Sequence, residues 1–174
     1  QAKQLKMELF LAIGQSSDSP CSVVVLRYMG NPDDKEVTAL VGKGVTMDTG
    51  GYSLKSGKGM AAMKSDMGGA ASVAAAVCAL ARNQAKTNVV AVIPIVENRL
   101  SNSACTPGDV LTAMNGKTVE ILSTDAEGRL ILADALTYAV REEKADRVID
   151  VATLTGAIVQ AYGSVRAGVM TNDD

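Results

Sequence analysis

Four acidic residues stand where apolar runs give way to glycine-bearing segments: Asp48 in VGKGVTMDTGG, Asp66 in MKSDMGGAAS, and Asp125 with Glu127 in STDAEGRL. On extended backbone, side chains two residues apart share a side, so Asp125 and Glu127 are expected to approach one centre together. Glycines beside each acid permit unusual backbone angles and let the main chain come close to a ligand. Oxygen-rich clusters of this kind suit divalent cations, and carboxylates so crowded repel one another without them. Taken singly, each acid reads more simply as a solvated loop residue or, for Asp66, as the cap of the helix that follows. Lys43, Lys55 and Arg129 shift that balance, because they lie in the same glycine-bearing segments as the acids. Carboxylates, a lysine, an arginine and two cations are the parts of metal-assisted hydrolysis.

Other chemistries are excluded by what the chain lacks. It has no histidine, which removes the commonest zinc ligand and every Ser/His or Cys/His nucleophile pair. Any metal must therefore sit on oxygen or amine ligands. Cys21, Cys78 and Cys105 are odd in number and widely spaced, so neither a disulfide framework nor a thiolate zinc site is indicated. Gly-Lys occurs twice, but a Walker loop needs glycine five residues earlier, where Val37 and Tyr52 stand, and each lysine is followed by glycine. A dinucleotide fingerprint starting at Gly42 fails because Met47 occupies its third glycine position. The net charge is −2 with no run of Lys or Arg, so no footprint for nucleic acid or an anionic membrane is written in the chain. No stretch approaches a membrane span and the first residues carry no signal-peptide pattern, so a soluble cytoplasmic protein is expected.

The elements that must position these residues follow from hydrophobic pattern. The 174 residues are enough for one domain to bury over half of its unfolded surface. Residues 1–13 read as the end of a helix without an obvious cap. SVVVLRY (22–28) and the apolar run 37–41 read as two neighbouring strands, the economical reading of the turn residues 30–34 being a hairpin. Residues 42–59 hold six glycines in 18 positions without periodicity, which predicts a long loop. GGAASVAAAVCALAR (68–82) predicts a helix with almost no polar face, buried against a sheet. NVVAVIPIV (88–96) predicts a central strand covered on both faces. A polar loop, a short strand at 119–122 after the Asn115-Gly116 turn, a helix at 129–142 and a buried strand at 147–152 complete the pattern. Strands alternating with helices predict an α/β fold, a sandwich around a mostly parallel sheet.

The stretches VGKGVTMDTGGYSLK, MKSDMGGAAS, STDAEGRLILADAL and VIDVATLTGA closely resemble, in order and spacing, the signatures of the leucyl aminopeptidase catalytic domain. The family's best-known signature is NTDAEGRL, and Ser123 stands here in place of the usual asparagine. Met47, Thr49 and Tyr52 resemble its bacterial peptidase B branch. The likeness runs from about Ser22 to Asn172.

That resemblance implies a three-layer αβα sandwich and a metal-dependent aminopeptidase acting on peptides with neutral N-terminal residues such as leucine, through a water activated by two metals. It implies one divalent ion on Lys43, Asp48, Asp66 and Glu127 and another on Asp48, Asp125 and Glu127. Zinc or manganese is the expected metal, with magnesium as a further candidate. Lys55 would polarise the scissile carbonyl, and Arg129 would hold a bicarbonate, being itself too basic to act as a base. Met63, Thr153, Leu154 and Gly156 resemble the lining of the side-chain pocket, although core packing explains them nearly as well. By the same resemblance residues 1–174 form a partial metallopeptidase catalytic domain, lacking the family's N-terminal domain and the end of the catalytic domain, and the complete enzyme is a homo-hexamer. Two rivals remain open: an inactive assembly or binding module of the same fold, and a metal-dependent hydrolase of phosphate esters.

Overall fold

The computed structural model describes residues 1–172. At its centre lies β4 (Asn88–Asn98), which is buried along nearly its whole length, as its unbroken Val/Ile run predicts. On one side β4 pairs antiparallel with β1 (Ser22–Met29). On the other it pairs parallel with β2 (Thr38–Gly42) and, further along, with β3 (Gly44–Asp48). Beyond β2 runs β7 (Arg147–Val151), again parallel. A separate antiparallel ribbon joins β5 (Val110–Thr112) to β6 (Thr118–Glu120) through the turn in which Gly116 has φ 89°.

Alternation along β4 divides the core into two layers. Val90, Val92 and Val96 pack with α1 (Glu8–Gly14) and α4 (Glu127–Arg141) through Leu9, Phe10, Ile13, Leu130, Ile131 and Ala135. Val89, Ala91 and Ile93 face α3 (Gly68–Arg82) through Ala70, Val73 and Val77. The expected αβα sandwich with a mostly parallel sheet is therefore present. Two short helices, α2 (Gly57–Met60) and α5 (Ala157–Tyr162), and two 3-10 turns at Ala61–Ser65 and Thr124–Ala126 complete the elements of the described residues.

Four expectations need correction. Residues 22–28 and 37–41 do not form a hairpin, since β1 and β2 flank β4 on opposite sides. The strand that can bury both faces takes the centre, and the connection crosses its end, where the Asn88 side chain donates to the carbonyls of Asn31 and Asp34. Residues 42–59 are not all loop, because β3 continues the course of β2. Small polar residues disguise β3, yet its main chain completes the β4 ladder. The helix α3 is not buried all round: Ala71, Ser72, Ala75, Cys78 and Ala79 are exposed. Nor is β7 buried: among the described residues it pairs with β2 alone, and Ile149 and Val151 are exposed.

The missing cap of α1 is supplied from another helix. Met7 precedes α1 without a capping side chain. Instead Asp134 of α4, fully buried, accepts from Phe10 N–H at 3.0 Å through one oxygen and from Met114 N–H at 2.8 Å through the other. A carboxylate at the first turn of a helix also meets the positive end of its dipole. Replacing Asp134 by alanine orphans two buried donors, each costing about 1–3 kcal/mol. Urea or thermal unfolding is expected to show a lowered midpoint for Asp134→Ala and an intermediate one for Asp134→Asn, which keeps one acceptor oxygen.

Candidate metal centre

The site is built at the C-terminal ends of β2, β3 and β4, where open parallel sheets place their ligands. Lys43 is the single residue between β2 and β3. Its N–H donates to Val151 O on the β7 side at 3.0 Å, and its carbonyl accepts from Ala70 N–H of α3 at 2.9 Å. The interruption is thus held from both neighbours. The Lys43 side chain is buried, with Nζ 2.8 Å from Asp66 Oδ2, 2.9 Å from Asp66 Oδ1 and 2.9 Å from Glu127 Oε1. It also donates to the carbonyl of Thr153 at 3.0 Å.

Asp48 ends β3, and its two oxygens have different tasks. Oδ1 accepts from Gly50 N–H at 2.8 Å and from Asn98 Nδ2 at 2.9 Å. Oδ2 lies 2.9 Å from Lys55 Nζ, which also reaches Asp125 Oδ1 at 2.6 Å. The turn after Asp48 bends back through Gly50 (φ 87°) and Gly51 (φ 60°), a conformation that side chains disfavour. Buried Asp48, Asp66 and Glu127 each offer an oxygen, all within 4.8 Å of one another.

Asp125 and Glu127 do not share an extended strand. Residues Thr124–Ala126 form a 3-10 turn, opened by Asp125 N–H donating to Ser123 Oγ at 3.3 Å, and α4 begins at Glu127. The two carboxylates consequently take different partners, Asp125 reaching Lys55 and Glu127 reaching Lys43. Asp66 does not cap α3, which has no side-chain cap. Its Oδ1 instead accepts from Thr153 Oγ1 at 2.7 Å.

Electrostatics show how crowded the centre is. Burial pushes the Glu127 carboxyl up to about 7, with nearby Asp48 adding to the rise and Lys43 opposing it. For Lys43, burial disfavours the charge, but the negative charges and hydrogen bonds of Glu127 and Asp66 outweigh it and raise the pKa. Lys55 is raised likewise, burial being outweighed by Asp125 and Asp48. Within this crowd Asp66 Oδ2 and Glu127 Oε2 are buried without a hydrogen bond, Asp66 Oδ2 having its ion pair with Lys43 alone. Two buried carboxylate oxygens without a hydrogen bond, one of them held only by its ion pair with Lys43, lie beside a third carboxylate and suit a divalent cation on oxygen and amine donors, so this donor set fits a metal.

The centre opens into a cavity of about 560 Å³. Met63, Thr153, Leu154 and Gly156 all line it, as do Lys55, Asp125 and Arg129. Arg129, in the first turn of α4, is exposed and makes no hydrogen bond or ion pair among the described residues. Thr153 proves to be more than lining, since it holds Asp66 by its hydroxyl and Lys43 by its carbonyl.

Matching against known families joins this geometry to a lineage. The model of the cytosol aminopeptidase family, catalytic domain, matches residues 1–174. The chain belongs to the cytosol aminopeptidase family. Among the family's members, it is 54% identical to a probable cytosol aminopeptidase of Clostridium perfringens, over 100% of this chain and 36% of that protein. The corresponding protein of Ralstonia nicotianae is also 54% identical, with 34% of its length covered. Among solved structures, leucine aminopeptidase of Caenorhabditis elegans superposes with TM-score 0.89 at 43% identity, over 93% of this chain and 33% of that one. The bottromycin maturation enzyme BotP gives TM-score 0.83 at 43% identity, over 92% and 34%. The chain spans about a third of the length of the relatives it matches.

Three residues of this centre were not singled out from the sequence. Asn98 closes β4 and Thr124 precedes Asp125. The Thr124 hydroxyl donates to Gly50 O at 2.6 Å and accepts from Ser53 N–H at 2.8 Å, joining the Asp48 turn to the Asp125 segment. A polar residue at the end of a buried strand in an α/β fold was the available signal for Asn98. Gly128 leaves room for lysine, because a Cβ there would lie 2.7 Å from Lys43 Cε and 2.9 Å from Nζ. Gly128→Ala is expected to displace the Lys43 amine and to cost about 1–3 kcal/mol by overpacking. A lowered unfolding midpoint with weakened divalent-metal binding checks it; unchanged values for both would show that the space is not needed.

Proposed function

We propose that this chain is part of the catalytic domain of a metal-dependent aminopeptidase that hydrolyses the N-terminal peptide bond of peptides with neutral first residues such as leucine. The observation that carries the reading is that buried Asp48, Asp66 and Glu127 bring oxygens within 4.8 Å of one another, with Lys43 paired to Asp66 and Glu127 and with Asp66 Oδ2 and Glu127 Oε2 left without a hydrogen bond. Lys43, Asp48, Asp66 and Glu127 would hold one divalent ion, and Asp48, Asp125 and Glu127 a second, with zinc, manganese or magnesium as the ion. Such a pair supplies Lewis acidity toward a peptide carbonyl and lowers the pKa of an attacking water.

The chain's own residues do the rest. Lys55 keeps its proton because Asp125 and Asp48 outweigh its burial, so it presents a fixed donor at the cavity where charge develops on a carbonyl oxygen. The Arg129 guanidinium, with no side-chain partner among the described residues, is free to hold an anion such as bicarbonate. Met63, Leu154 and Gly156 offer a largely apolar wall to the N-terminal side chain, next to carboxylates that suit a free α-amine. Lys43 can coordinate only as the free amine, since an ammonium has no lone pair.

No helix among the described residues is long and apolar enough to cross a membrane. A cytoplasmic setting is supported by the names of the cytosol aminopeptidase relatives, and homo-hexamer assembly of the complete enzyme by the family resemblance.

In the complete enzyme, Lys55→Ala is expected to lower kcat for a leucine amide roughly 10²–10³-fold. Asp125→Ala is expected to abolish most turnover, and wild-type rates in either variant would remove its assigned role. Metal uptake must displace protons from Lys43 and from Glu127, whose pKa is raised to about 7. Affinity should therefore rise with pH across neutrality and fall in acid. Titration calorimetry in buffers of different ionisation enthalpy should detect the released protons, and pH-independent binding would contradict this ligand set.

A further inference from the structure

We infer that Asn98 is a positioning residue of the metal centre: its side-chain amide fixes the Asp48 carboxylate and the segment carrying Asp125 and Glu127 relative to each other. The inference rests on the metal reading given above.

Asn98 is 3% exposed and lies opposite Asp48 in the parallel register of β3 and β4. Its amide nitrogen has two hydrogens, and both are used. One goes to Asp48 Oδ1 at 2.9 Å, the other to the carbonyl of Thr124 at 3.0 Å. Both partners are pure acceptors, which determines which way the amide faces. The main-chain carbonyl of Asn98 in turn accepts from Thr49 N–H and the Thr49 hydroxyl, each at 2.9 Å, so the donor is anchored on the same turn that it organises.

The consequence for Asp48 is directional. With Oδ1 engaged by Asn98 and Gly50 N–H, the carboxylate cannot rotate without breaking two buried hydrogen bonds, and Oδ2 stays toward Lys55. Asp48 is also one of the two carboxylates proposed to serve both ions, Glu127 being the other. Thr124 stands one residue before Asp125 and three before Glu127, so the second hydrogen bond ties the segment of two further ligand candidates to the same point. Volume alone cannot do this. Leucine, though bulkier, shares asparagine's branching and heavy-atom count but donates nothing, and it would leave a buried carbonyl and a carboxylate oxygen short of a partner.

The test uses the complete enzyme, stripped of metal, as wild type, Asn98→Ala and Asn98→Leu. Mn²⁺ dissociation constants are measured by calorimetry at a temperature where each metal-free protein keeps the wild-type circular dichroism. Binding weaker by roughly 10–100-fold in both variants is expected, the usual effect of removing a group that orients a ligand. Affinity within about threefold of wild type in either folded variant would overturn the inference while leaving the metal centre intact. Wild type that binds no Mn²⁺ would overturn both. Should neither variant fold, hydrogen exchange at the Asn98 side-chain amide of the metal-free wild type decides: protection supports the clamp, and exchange at the free-amide rate removes it.

Discussion

Three buried carboxylates around one buried ammonium leave an excess of negative charge where water cannot screen it, and the rest of the molecule is arranged around that imbalance. Lys43 offsets part of it, yet Glu127 still shows the strain of burial and of Asp48 in its raised pKa. Burying charge is costly unless each group is paired and hydrogen-bonded. The surrounding framework therefore supplies N–H and O–H donors from three elements: Gly50 and Asn98 to Asp48, and Thr153 to Asp66. Asp66 Oδ2 and Glu127 Oε2 receive no hydrogen bond, and they belong to carboxylates whose oxygens lie within 4.8 Å of one another and of Asp48.

The layers hold this arrangement by burying the strands that end at it. β4 is covered on both sides, so its end cannot move independently of α3 or α4. α4 contributes Glu127 at its first residue and Asp134 two turns later, so one helix carries both a ligand candidate and the buried group that fastens α1. Stability and chemistry consequently share elements here, and the helix that supplies the acid is itself held by the core packing of Leu130, Ile131 and Ala135.

Much of the fold was legible because long apolar patterns leave few alternatives. The run 88–96 and the small-residue helix 68–82 were readable from pattern, and helix 129–142 was displaced only slightly at its ends. Pairing was less legible: the turn residues at 30–34 signal a change of direction, but only the competition for the central place decides that β4 separates β1 from β2. β3 escaped detection because Val45 and Met47 alone alternate with its glycine and polar residues, too short a pattern to stand out in a glycine-rich stretch, and its ladder partner lies some fifty residues away. For the site, the residues read from the chain line one cavity, except Glu127, which is buried against Lys43 beside it. The geometry assumed for Asp125 and Glu127 was wrong, since a 3-10 turn sends them to different lysines. Asn98 was missed because an amide's role depends on what it faces, which only the assembled loops define.

The pause between β2 and β3 lasts a single residue, and it leaves the strand's alternation in phase. Val41 and Val45 both belong to the core layer shared with α4, and Lys43, midway between them, takes a slot that a third aliphatic side chain would otherwise fill. Chain length across this segment is therefore more constrained than composition. One residue inserted or deleted between positions 41 and 45 would throw every later side chain of the strand to the opposite face, exchanging hydrophobic interior for carboxylate and turning Asp48 away from its companions.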